Sequence, residues 1–142
     1  MHYSRTLAIG CLLGLAAFTA NAEDLPRTNA APGAKAYIVS PEDGSTVTSP
    51  VTVVFGLEGM GVAPAGTETP NTGHHHLLVD VDNLPDLNKP MGADVKHFGG
   101  GQTQVKLELP PGKHTLQLIL GDKSHIPHQP PVVSEKVTIT VK

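Results

Sequence analysis

Three consecutive histidines, His74, His75 and His76, lead into the apolar run Leu77, Leu78 and Val79, and further imidazoles follow at His97, His114, His125 and His128. A neutral imidazole presents a nitrogen lone pair that suits Zn²⁺, Cu²⁺ and Ni²⁺. The only cysteine is Cys11, near the N-terminus, so a metal site further along the chain has to be built from nitrogen and carboxylate. Copper or zinc is the expected ion.

Spacing narrows the choice of ligands. In an extended chain successive side chains point to opposite faces, so His74 and His76 share one face while His75 shares the other with Leu77. The expected ligand set is His74, His76, His97 and His125. Asp122 is the candidate for a ligand or for an acceptor of a ring N–H, and His75, His128 and His114 stand as supporting or alternative residues.

Other chemistries find less support. Ser124 lies beside Asp122 and His125, the residue types of a hydrolase triad, but neighbours in a short loop rarely meet in the needed geometry, and no G-x-S-x-G elbow exists. Gly99, Gly100 and Gly101 lack the lysine of a phosphate-binding loop. A metal-assisted hydrolase would need a carboxylate base, for which Asp80 and Asp122 are the candidates. A further reading has the rings bonded to main-chain carbonyls, on loops that grip an envelope protein or a glycan.

The elements that must position these residues follow from the rest of the chain. Residues 1–22 read as a cleavable signal peptide, with Arg5, an apolar run from Leu7 to Phe18 and the small-residue site Ala20-Asn21-Ala22. The run is shorter than the about 20 residues that cross a bilayer, so no membrane segment is expected after cleavage. Cleavage exposes Glu23, which argues against a copper monooxygenase site built on an N-terminal histidine. About 120 residues remain, enough for one core. The formal charge of −3 is spread without long runs of one sign, which points away from nucleic acid.

Residues 23–35 are rich in Pro, Gly and Ala without periodicity and read as a disordered leader. From residue 36 to 142, short β-branched or alternating runs are separated by turn residues, and 15 glycines and 13 prolines leave no room for a stable helix. Six strands are expected, at 36–40, 51–57, 75–81, 102–109, 114–120 and 132–141, with a short seventh near 93–96. The expected fold is an all-β, immunoglobulin-like sandwich, in which alternation buries Leu77, Val79, Leu116, Leu118 and Leu120. Strands alternating in direction would bring His74, His75, His76, His97, Asp122, His125 and His128 to one end and leave His114 at the other.

The segments GHHHLLVD (73–80), HFGGGQT (97–103) and LPPGKHTLQLILGD (109–122), together with His125, resemble the bacterial periplasmic family known as domain of unknown function 4399. The resemblance extends from about Ser40 to Val141. It implies export and a compact β fold, with His74, His75, His76, His97, His114, Asp122 and His125 as part of the family pattern. It implies no particular ligand.

Overall fold

The computed structural model describes residues 25–142; the signal peptide expected at 1–22, with Cys11, lies outside them. The described residues form nine strands: β1 (Lys35–Ser40), β2 (Thr46–Val47), β3 (Val51–Glu58), β4 (Gly61–Val62), β5 (Thr72–Val79), β6 (Lys96–His97), β7 (Gln104–Leu107), β8 (Gly112–Gly121) and β9 (Val137–Val141). No helix among them is long and apolar enough to cross a membrane.

Two sheets carry the fold, a three-stranded one in the order β1-β3-β7 and a six-stranded one in the order β2-β9-β8-β5-β4, with β6 also paired to β5. The expected all-β sandwich is what forms. β2 runs parallel to β9 and β4 parallel to β5, so strand direction does not simply alternate. Both pairings join two-residue strands that the sequence, with too few residues for a visible period, does not signal.

Alternation along β5 and β8 builds the core between the sheets. Leu77, Leu116, Leu118 and Leu120 are fully buried there with Val53, Phe55 and Ile139, each aliphatic side chain contributing about 1.5–3 kcal/mol of transfer free energy. The opposite, outer face of the larger sheet is also covered. Leu78, Val95 and Ile119 form a second apolar cluster under Val81, Leu87, Met91 and Val133. The long connection between β5 and β6 therefore folds back over the sheet and closes a layer there; the short strand expected near 93–96 lies at its end, as β6 at Lys96–His97, paired with β5.

Strand limits differ from expectation where side chains intercept the backbone. β5 begins at Thr72 and ends at Val79, before Asp80, which turns out of the strand at a φ of 56°. The last strand starts at Val137 rather than near 132, because Ser134 takes over the pairing: its N–H donates to Leu118 O, its hydroxyl accepts from Leu118 N–H, and that hydroxyl donates to Glu135 O. Residues 27–30, within the stretch read as a disordered leader, are bonded to the loop after β8. Ala30 N–H donates to Gln129 O, Gln129 N–H donates to Thr28 O, and the Arg27 guanidinium donates to the carbonyls of Pro127 and His128. Such contacts run through backbone carbonyls and leave no apolar period to read.

His114 lies at the far end of β5 and β8 from the histidine triplet, as expected. Its Nδ1 donates to Asp80 Oδ2 at 2.7 Å and its Nε2 to Pro110 O at 2.7 Å, while Asp80 Oδ1 accepts from Thr115 N–H. Two acceptors on one ring favour the imidazolium, and the Asp80 carboxylate raises its pKa above the ordinary value. A raised folded-state pKa means that this clamp stabilises fully below about pH 6.5 and fades as pH rises through the folded value. His114→Ala is expected to lower unfolding free energy by about 1–3 kcal/mol at pH 6. In urea titrations the gap to the unaltered protein should narrow toward pH 8; a gap that is absent or constant with pH would count against the clamp.

Candidate metal centre

β5 presents His74 and His76 on the outer face of the six-stranded sheet, with both rings buried. His76 is paired across the ladder with His97 of β6 on one side and Ile119 of β8 on the other, and His74 with Gly121. The His76 residue therefore stands between two neighbouring strands. His125 arrives from the loop after β8 at a φ of 65°. That loop is wound around Asp122, whose Oδ1 accepts from the N–H groups of Ser124 and Ile126 and whose Oδ2 accepts from the Thr28 hydroxyl.

These three segments bring four imidazoles together. Ring centroids are 4.7 Å apart for His74 and His76, 4.6 Å for His97 and His125, and between 5.0 and 6.0 Å for His74–His125, His74–His97, His76–His97 and His76–His125. One ring nitrogen from each residue lies within 4.8 Å of all the others. Four nitrogens held tetrahedrally at about 2.0–2.1 Å from an ion are about 3.3 Å apart, so small side-chain rotations would close the set. His74 Nε2 and His125 Nδ1 are already 3.0 Å apart. The cluster can hold a metal ion.

Two glycines make room for the rings. A Cβ at Gly121 would lie 2.6 Å from His76 Cε1, and a Cβ at Gly99 would lie 2.3 Å from His97 Cε1. Both are closer than carbon atoms approach.

The electrostatics favour a neutral cluster. Burial is the main cause that lowers the His74 pKa to about 4 and the His76 pKa to about 3, with repulsion from the neighbouring rings adding to it. His97 is lowered in the same way, by burial and by His125. His74 Nδ1 and both nitrogens of His76 are buried without a hydrogen-bond partner in the protein. An unpaired buried polar atom costs about 1–3 kcal/mol, and here three such nitrogens belong to two rings of the cluster.

The remaining candidates are placed elsewhere. His75 points into the core between the sheets, its ring centroid 5.2 Å from that of Phe55, and burial lowers its pKa to about 4. His128 reaches the same end of the molecule but is buried with its Nδ1 toward Leu120 O; near Gly73 it lies on the core side of β5. Asp122, named from sequence as a ligand or an acceptor of a ring N–H, has its Oδ1 engaged by the Ser124 and Ile126 N–H groups and its Oδ2 by the Thr28 hydroxyl, so that it holds the His125 loop. Asp80, proposed from sequence as a base near the cluster, is instead joined to His114 at the other end of β5. Sequence reading missed Met91, whose N–H donates to His125 O; nothing in the pattern around it signals a return over the sheet.

A model of the family described as Domain of unknown function (DUF4399) matches residues 53–142, more than half of the chain. No curated protein and no solved structure matches it.

Two expectations follow. His74, His75 and His76 titrate near 6.5 when unfolded and at about 3 to 4 when folded, so the unfolded chain takes up protons first and stability is lost as pH falls from 6.5 toward 4. Without metal, the urea midpoint should drop from pH 7 to pH 5 with an uptake on the order of three protons, His97 acting in the same direction and His114 in the opposite one; a flat profile contradicts the buried, neutral cluster. Gly121→Ala should displace the His76 ring, and calorimetric titration should then find metal affinity weakened by about tenfold or more while the circular dichroism spectrum stays that of the parent. Unchanged affinity would mean that His76 needs no such space.

Proposed function

The chain belongs to the DUF4399 family, and we propose that it is an exported, non-enzymatic domain that binds a divalent transition metal, copper or zinc, through His74, His76, His97 and His125. One observation carries this reading: imidazoles from three separate segments converge with a nitrogen of each within 4.8 Å of the rest. Unpartnered buried nitrogens alone would not suffice, since His75 and His128 also have them on the core side. What distinguishes the four is that their lone pairs meet.

The chemistry of the donor set supports the same conclusion. Four imidazole nitrogens and no thiolate suit Cu²⁺ and Zn²⁺, and carboxylate-seeking ions such as Mg²⁺ and Ca²⁺ find no oxygen cage here. Because His74 and His76 are already held neutral at pH 7, a cation displaces no proton from them on binding. His97 is exposed and His125 half-buried, which provides an entry from solvent. The processing signal read at 1–22 supports a place outside the cytoplasm, where the domain would sequester or deliver the ion. Asp80 is engaged at the opposite end and Asp122 by the backbone, so neither carboxylate is available as a base beside the cluster, which favours binding over hydrolysis.

Metal-stripped processed protein titrated with Cu²⁺, Zn²⁺ and Ni²⁺ by calorimetry should bind at least one of them at one ion per chain, more tightly than about 10 μM. The double variant His74→Ala, His76→Ala should abolish that binding, whereas His114→Ala should not. Failure of all three ions to bind more tightly than about 10 μM would overturn the proposal, and retention of binding in the double variant would move the site elsewhere.

A further inference from the structure

Met91 lies in the connection between β5 and β6, in a stretch with no strand of its own, yet it is tied to its surroundings. Its N–H donates to His125 O at 2.9 Å, so it is tied to one of the four ring-bearing residues. Its side chain is half-buried and packs against the outer cluster of Leu78, Val95 and Ile119. Its terminal carbon and the His76 ring converge on the space above Gly121, where a Cβ would lie 2.9 Å from Met91 Cε and 2.6 Å from His76 Cε1. The end of the thioether chain is therefore a neighbour of the His76 ring. With His97 and His125, Met91 also lines a depression of about 350 Å³ that leads from solvent to the histidines.

The chemistry of a thioether differs from that of the four rings. Imidazole accepts Zn²⁺ and Cu²⁺ alike, whereas the soft, polarisable sulfur of methionine selects Cu⁺ and adds little to a harder ion. Methionine has three rotatable bonds, enough for the sulfur to turn from the apolar layer toward an ion among the rings without movement of the backbone. Packing alone would be served equally by leucine, which has nearly the same volume and no donor atom.

We propose that Met91 is a fifth donor to this centre, its sulfur engaging bound copper and giving the site an affinity for Cu⁺ that the four imidazoles alone would not provide. The inference rests on the reading that His74, His76, His97 and His125 hold a metal. It goes further in making copper the ion for which the site is selective.

The test compares processed protein with its Met91→Leu and Met60→Leu variants. Met60 packs against the main core and serves as the control for loss of a methionine. Cu⁺ affinity would be measured under anaerobic conditions by competition with a chromogenic chelator, Zn²⁺ affinity by calorimetry, and the copper environment by X-ray absorption. In Met91→Leu, Cu⁺ affinity should fall at least about tenfold further than Zn²⁺ affinity, and the copper–sulfur scattering shell seen in the unaltered protein should disappear. Met60→Leu should keep both the affinity and the shell.

Equal losses for the two ions in Met91→Leu, or a Cu⁺ complex of the unaltered protein with nitrogen donors only, would overturn the role of Met91 while leaving the four-histidine centre intact. Absence of any metal binding by the unaltered protein would remove the centre and the inference together.

Discussion

The two-residue period of β5 is the constraint on which the rest of the molecule depends. It sends His75 and Leu77 into the core between the sheets and His74 and His76 to the outer face, so that one strand supplies both a hydrophobic wall and a pair of aligned imidazoles. A slip of one residue would exchange the two sets. The apolar partners of Leu77, which are Leu116, Leu118 and Leu120 on β8, hold the register because any slip would carry their shared face out of the core.

Around that pair the molecule maintains an arrangement with a cost in stability. Neutral imidazole nitrogens are buried beside one another without protein partners, each a loss of about 1–3 kcal/mol relative to a satisfied group. The neighbouring structure offsets this locally. Asp122 winds the His125 loop, Thr28 anchors Asp122, and Arg27 ties the following carbonyls to the segment before β1. The connection carrying Met91, Val95 and His97 closes over the outer face with its own apolar cluster. A set of groups that would separate if each were free is thus held within reach mainly by contacts of the surrounding segments, with the His74–His125 ring contact adding to them, which is how binding sites are commonly preorganised.

The ends of β5 have opposite chemistry. At one end burial, with repulsion between the rings should they become charged, holds the pKa values of His74 and His76 low; at the other, donation to Asp80 and Pro110 O raises that of His114. The same side chain type therefore serves as a lone-pair donor at one end and as a charged clamp at the other, and environment alone decides which. That difference also separates His114 from the cluster: bonded to Asp80, it secures the ladder that aligns His74 and His76.

Much of this was legible in the residues themselves. Absence of helix among the described residues, the faces of β5 and β8, the separation of His75 from His74 and His76, and the remoteness of His114 all follow from alternation and turn chemistry, which act over a few neighbouring residues. Other features depend on contacts between distant segments. The two-residue strands β2 and β4 exist only because β9 and β5 offer them partners; Asp80 ends its strand through a bond to His114, 34 positions away. Likewise, residues 27–30 are ordered by carbonyls near 128, and Met91 reaches the histidines because a loop without periodicity folds back over an apolar patch. The sequence by itself determined which side of each strand is apolar and which residue types could meet a metal, because periodicity is a local property. It also named the four rings that meet, His74, His76, His97 and His125; only the tertiary structure decided how closely they approach, since that distance is set by the packing of three segments that are far apart along the chain.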